Sequence, residues 1–172
     1  TYFSPLADTS LPDAGFVYLP GGYPELYLAA LSANRQMLQS IRRYVESGGK
    51  LLAECGGMMY LCDEIRDKNG DVYPMAGVLH QSATMENMKL RLGYRTLLYN
   101  ETRLKGHEFH YSRLVEQQNP LPSCAVAYTA KGVETDTPLY HYKNVWAGYT
   151  HLYWADPVGN EWFTKFVIDG NT

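Results

Sequence analysis

The spacing of apolar residues changes repeatedly along the chain, and each change predicts an element. Residues 16–20, FVYLP, are an unbroken apolar run stopped by Pro20-Gly21-Gly22, the pattern of a buried strand ending in a glycine-rich loop. Pro24 suits a first helical position and Glu25 suits the positive end of a helix. Met37, Leu38, Ile41, Tyr44 and Val45 then form a stripe of 3.6-residue period, with Asn34 or Ser32 available as cap and Gly48-Gly49 as stop. KLLAE, residues 50–54, is a second strand without polar alternation, as expected where both faces are covered. After Glu54-Cys55-Gly56-Gly57 the spacing of Met58, Met59, Leu61, Cys62 and Ile65 becomes helical again.

Strand, helix, strand, helix in this order predicts an α/β unit with a parallel sheet. The second half reads as more antiparallel. In LRLGYRTLLY, residues 90–99, the alternation of Leu90, Leu92, Tyr94, Thr96 and Leu98 predicts a half-buried strand with those side chains on its apolar face. HEFHYSRLVE, CAVAYTA and NVWAGYTHLYW are further β-like runs between Gly, Pro and Asn turns. NEWFTKFVIDG, residues 160–170, suits an amphipathic terminal helix through Trp162, Phe163, Phe166 and Val167. No repeat or linker divides the chain, so residues 1–172 read as one domain, α/β first and antiparallel later.

Composition narrows the function classes. The chain has 172 residues, 45% hydrophobic and 19% charged, enough to bury a core and unlike a disordered or fibrous sequence. A net charge of −3 without any Lys/Arg run leaves no electrostatic footprint for nucleic acid or an anionic membrane. No apolar stretch approaches the ~20 residues that span a bilayer, and TYFSPLADTSLPD has neither the basic nor the apolar region of a signal peptide. Three cysteines, Cys55, Cys62 and Cys124, are an odd number in a chain of this size, which predicts free thiols in a reducing, cytoplasmic setting.

The chemistry concentrates at the corner around Cys55. Ala53-Glu54-Cys55-Gly56-Gly57 has the small-x-nucleophile-x-small form of a nucleophile elbow, a strand-to-helix turn so tight that bulky flanking side chains would collide. Such a corner sets the sulfur at a helix N-terminus, which favours the thiolate, and lets the Gly56 N–H donate to a developing oxyanion. A lone cysteine is more often just a small buried hydrophobe, but the two glycines and the strand-to-helix context favour the nucleophile. The base must come from His80, His107, His110, His141 or His151, and the sequence alone ranks them weakly. His151 lies where an apolar strand ends, the place where α/β folds carry catalytic groups. His107-x-x-His110 puts two rings on opposite faces of an extended segment, with no Cys or carboxylate completing a ligand set, so no metal site is expected. SGGKLL lacks the spacing and the hydroxyl of a P-loop, and no G-x-G-x-x-G follows a strand.

YLPGGYPELY, AECGGMMYL, YPMAGVL, LGYR, GHEFHYSRL and YTHLYW, in this order over nearly the whole chain, resemble the glutaminase portion of the cobyrinic acid a,c-diamide synthases, class I glutamine amidotransferases of the cobalamin-synthesis type. The resemblance implies a three-layer α/β/α, flavodoxin-like fold with a mostly parallel sheet. It implies Cys55 as the nucleophile that attacks the glutamine amide, and His151 as its base and the proton donor to ammonia. The N–H groups of Gly22 and Gly56 would form the oxyanion hole, and Glu108, His110 and Ser112 would help position substrate. Glutamine is then a substrate, and ammonia passes to a synthetase domain where ATP and Mg²⁺ activate the a and c acetates of a corrinoid. The chain itself needs no cofactor.

Three departures from the family qualify these expectations. The P-loop synthetase domain is not in this sequence. Relatives carry a further strand and helix before the segment matching FSPLAD, so the sheet is expected to lack its first strand and to present an edge that invites a homodimer. Position 153 is Tyr where many triad amidotransferases have the Glu of His-x-Glu, which predicts a Cys–His dyad. The alternatives are nickel-sirohydrochlorin as the amidated substrate, a Cys-elbow hydrolase of the same superfamily, and a non-catalytic docking module.

Overall fold

Local pattern and observed structure agree closely over the first fifty-odd residues. In this computed structural model, which describes residues 1–169, strand β1 spans Phe16–Leu19 and a 3₁₀ turn spans Pro24–Leu26. Helix α1 is Leu28–Ala33, α2 is Arg35–Glu46 and strand β2 is Lys50–Glu54. Helix α2 buries Met37, Leu38, Ile41 and Val45, and the Asn34 side chain caps it by accepting from the Met37 N–H at 3.3 Å. Helix α3 then runs over Gly56–Leu61, followed by short strands β3 (Glu64–Arg66), β4 (Val72–Pro74) and β5 (Ser82–Thr84). Two long strands, β6 (Arg91–Tyr99) and β7 (Thr102–His110), precede β8 (Arg113–Leu114), β9 (Val126–Thr129) and β10 (Glu134–Thr135). The chain finishes with β11 (Leu139–Tyr142), β12 (Val145–Gly148), β13 (His151–Leu152) and helix α4 (Pro157–Asp169). The terminal helix expected to reach Gly170 is therefore seen up to Asp169, and position 170 lies outside the described residues.

The central sheet has the order β1-β2-β12-β11. β1 and β12 both run parallel to β2, with Val17 and Val145 beside Leu51, while β11 closes the far side antiparallel. β1 forms the other edge. On one face Val17, Leu51, Ala53, Val145 and Ala147 pack with Met37 and Ile41 of α2 and Met58 and Leu61 of α3. On the other face Leu52 and Trp146 pack with Trp162 and Phe166 of α4 and with Leu97, Leu104 and Ala127. Those last three belong to a five-stranded antiparallel sheet of order β10-β9-β6-β7-β13. The layers are thus helices, central sheet, and a third layer shared by α4 and the antiparallel sheet. A third, small sheet of order β4-β3-β5-β8 stands beyond α3.

Two local expectations change. The helical spacing through Ile65 ends at Leu61, and Ile65 is a fully buried strand residue in β3. Cys62 turns extended, and the carbonyls of Leu61, Cys62 and Asp63 accept from Val78, Gly77 and Met75 instead of from a next helical turn. In β6 the buried face is the opposite of the expected one. Leu97 is 1% exposed, whereas Leu92 and Tyr94 are 61% and 65% exposed. The face that meets the central sheet is chosen by the pairing of Leu97 with Leu104 and Ala127, and one position of phase moves every side chain to the other face.

Candidate active site

The corner between β2 and α3 has the elbow geometry. Cys55 sits at φ 49° and ψ −109°, a left-handed conformation that costs a non-glycine residue about 1–3 kcal/mol and persists only where its surroundings hold it. They do so here. The Cys55 N–H donates to the Gly148 carbonyl at the end of β12 (2.8 Å), and its own carbonyl accepts from Met59 in α3 (3.0 Å). The side chain is almost covered, with Sγ 3.8 Å from the Phe109 carbonyl oxygen of β7. Gly56 has no room for a Cβ, which would run into the Gly22 carbonyl, so the Gly21-Gly22 loop lies directly against the start of α3.

The three thiols differ in environment. Burial pushes Cys62 far up, and pushes Cys124 up to about 11, so neither is poised as a nucleophile. Cys55 alone has a histidine beside it. His151 opens β13, where it pairs directly across from His107 of β7, and the two rings stack at 5.0 Å. Its pKa is raised to about 9 by hydrogen bonding to Cys55 first and to Glu54 second, which together outweigh burial. His107 moves the other way, because burial and the neighbouring His151 charge disfavour its protonation.

Glu54 was not singled out by the spacing of the sequence. It is 3% exposed, at the end of an otherwise apolar strand. Its Oε2 lies 3.5 Å from His151 Nδ1 and accepts from the Tyr18 hydroxyl at 2.7 Å, and its Oε1 accepts from the Leu152 N–H at 3.0 Å. A buried carboxylate closing an apolar run was the available signal, since such a charge needs partners.

The Glu108, His110 and Ser112 group lies on the other face of β7. Glu108 is fully buried and ion-paired to Arg95 of β6 at 2.6 Å. Burial pushes its carboxyl up, but the neighbouring His110 and Thr137 and the Arg95 charge prevail and hold it below the ordinary value. His110 Nδ1 is 2.9 Å from the Ser112 carbonyl, and its ring stacks on Tyr149 at 3.7 Å. The Ser112 hydroxyl donates to the Tyr149 hydroxyl at 3.1 Å. Glu108, His110 and Tyr149 border a pocket of about 470 Å³. These side chains contact one another and Arg95, and they reach the Cys55 sulfur through the Phe109 backbone between Glu108 and His110. His107 and His110 thus face different neighbours, His151 and Tyr149.

A cysteine at a strained elbow beside a histidine suits attack on an acyl carbon. A family model described as the CobB/CobQ-like glutamine amidotransferase domain matches residues 1–158. The chain belongs to this family. Among curated relatives, the hydrogenobyrinate a,c-diamide synthase of Pseudomonas aeruginosa is 39% identical over 157 residues, which are 88% of this chain and 34% of the relative. The cobyrinate a,c-diamide synthase of Fusobacterium nucleatum subsp. nucleatum is 39% identical over 160 residues, 88% of this chain and 35% of that one. The cobyrinate a,c-diamide synthase of Salmonella typhimurium is 35% identical over 161 residues, 89% and 35% respectively. The amidotransferase domain described here spans about a third of the length of these relatives. A crystal structure of a glutamine amidotransferase superposes with a TM-score of 0.57 at 18% identity, over 89% of this chain and 79% of that one. The structure of PurLQS from Thermotoga maritima gives 0.55 at 17% identity, over 85% and 72%. Both likenesses concern the fold alone.

Proposed function

We propose that this domain hydrolyses glutamine at Cys55 and supplies the ammonia to a synthetase region that amidates the a and c carboxylates of a corrinoid, cobyrinate or hydrogenobyrinate. The observation that carries the reading is the left-handed strand-to-helix corner that sets Cys55 beside His151, a ring whose protonated form Cys55 and Glu54 both favour. At neutral pH His151 carries the proton that Cys55 has given up, and the resulting thiolate attacks the side-chain amide carbon of glutamine. The N–H groups of Gly22 and Gly56 stabilise the oxyanion; the Gly21-Gly22 loop lies against the start of α3, which keeps the two glycines close together. His151 returns its proton to nitrogen as the C–N bond breaks, leaving a γ-glutamyl thioester and ammonia. Water then cleaves the thioester to glutamate and restores the thiol.

Glu108, His110 and Ser112 position substrate indirectly in this reading, by fixing the β7 backbone whose Phe109 carbonyl faces the sulfur. ATP and Mg²⁺ belong to the synthetase region. Among the described residues no group of three His, Cys, Asp or Glu side chains converges as a metal site, and no P-loop is present in the sequence. No helix among the described residues is long and apolar enough to cross a membrane. Three free cysteines support a reducing cytoplasm, and the open β1 edge would be the contact of a homodimer.

A glutamine-derived diazoketone, which alkylates an activated thiol only after binding as glutamine does, tests the reading. Mass-spectrometric mapping is expected to place the adduct on Cys55 in the wild type, with no adduct in His151→Ala. An adduct confined to Cys62 or Cys124, or full labelling of His151→Ala, would sink it.

A further inference from the structure

An imidazole that takes a proton from a thiol has to offer that thiol an unprotonated nitrogen, and so has to keep its other nitrogen protonated. In an unconstrained histidine the two tautomers interchange and the ring rotates. Enzymes of this kind restrain both with a carboxylate. Tyr153, at the position where such a carboxylate would follow the histidine by two residues, instead has its ring 5.8 Å from that of His107. The carboxylate nearest the ring comes from the other side of the corner.

We infer that Glu54, the residue immediately before the nucleophile, is the positioning carboxylate of His151: it holds Nδ1 protonated and turns the other ring nitrogen to Cys55. Its Oε2 faces Nδ1 at 3.5 Å, and its Oε1 accepts from the N–H of Leu152, the next residue along β13, at 3.0 Å. One carboxylate thus holds both the ring and the backbone that carries it. The Tyr18 hydroxyl of β1 donates to Oε2 at 2.7 Å and fixes the carboxylate in turn. Burial and the Glu54 charge push the Tyr18 hydroxyl well up, so it remains a donor. Leu152 N–H, Tyr18 O–H and the imidazole are the partners that a 3%-exposed carboxylate needs for its oxygens. Neighbouring strand residues ordinarily point to opposite faces. The positive φ at Cys55 is what brings the side chains of residues 54 and 55 to one imidazole.

The groups facing His151 from each packed element are few. Cys55 comes from the corner, Glu54 from β2 with Tyr18 behind it, and His107 from β7, while Tyr153 follows on the chain itself. Glu54 is the carboxylate among them. The raised pKa of about 9 has Cys55 as its first cause and Glu54 as its second; a facing anion favours imidazolium, so the proton is retained through neutral pH and is lost as pH rises through about 9. Removing the Glu54 charge moves that loss to lower pH.

The inference rests on the glutaminase reading only for turnover, and its main tests need no glutamine. The pH dependence of Cys55 carboxamidomethylation by iodoacetamide, followed by peptide mass spectrometry, is expected to show an imidazolium-linked inflection near 9 in the wild-type chain. In Glu54→Gln it should fall by about one unit or more, and Glu54→Asp should restore part of the shift. An inflection unmoved in a folded Glu54→Gln variant overturns the inference. Ring-nitrogen NMR of the wild-type chain gives a measure independent of any variant's folding. Above the inflection His151 is expected as the Nδ1–H tautomer, and an Nε2–H tautomer would overturn the inference. If glutamine is hydrolysed, Glu54→Gln should lower kcat by about 10²- to 10⁴-fold with a much smaller change in KM. If the wild type does not hydrolyse glutamine while inflection and tautomer behave as stated, the glutaminase reading fails and the positioning role stands.

Discussion

Gly21 decides where the His151 ring can lie. A Cβ built there collides with the imidazole at Cε1, so the loop can pass over the ring only as glycine. The φ of Gly21 is one that any residue can adopt, which leaves the ring as the thing an added methyl displaces. Gly21→Ala is therefore expected to leave the melting temperature nearly unchanged and, with His151 acting as proposed, to lower glutaminase kcat by about 10²-fold, the cost of misplacing a catalytic group by roughly an ångström. A steady-state assay beside a thermal melt checks it; unchanged kcat would mean that the ring has freedom the structure does not show. At this scale the sequence was partly legible. The small residues around Cys55 announced the elbow because the constraint is local. The partnership of Glu54 with His151 was not visible, because Leu152 and Glu54 stand 98 positions apart and meet only once β2 and β13 are in place.

Among the elements, β6 shows what periodicity leaves open. Alternation identifies a strand but is compatible with either face inward, and the apolar set on Leu90, Leu92 and Tyr94 outnumbers the one around Leu97. The choice is made by what lies beneath: Leu97 meets Leu104 and Ala127 across the strands and joins Trp146 and Leu52 in the core. Leu97→Ala is expected to cost about 2–5 kcal/mol, the range for emptying a buried leucine site. Leu92→Ser should stay within about 0.5 kcal/mol, as exposed substitutions do. Urea unfolding of the two variants distinguishes the faces, and equal costs would show that the strand is buried on both. Helix α2 and strand β2 raised no such ambiguity. Their stripe and unbroken apolar run leave one arrangement that buries Met37, Ile41, Leu51 and Ala53 together.

Across the whole molecule, the antiparallel sheet must be held against the central one for His151 and Cys55 to meet, since Cys55 follows β2 of the central sheet and His151 lies in β13 of the antiparallel one. The Glu108 group sits at that junction. Arg95 and Glu108 join β6 to β7, His110 and Ser112 reach Tyr149 at the end of β12, and the Ser112 hydroxyl also lies 3.3 Å from the Met59 sulfur of α3. With side-chain exposures of 9% and 1%, Arg95 and Glu108 form a buried ion pair in which each charge depends on the other. Arg95→Ala strands the carboxylate and is expected to cost about 3–5 kcal/mol, whereas replacing both by apolar residues, as in Arg95→Met with Glu108→Leu, should recover most of it. Denaturant titration of the two variants measures this difference. If the double variant is as unstable as the single one, the junction depends on what Glu108 contributes beside His110 and Thr137, not on the charge pair. If the double variant regains stability but loses glutaminase turnover, the network acts on catalysis through the β7 backbone, because Phe109, between Glu108 and His110, presents its carbonyl to the Cys55 sulfur.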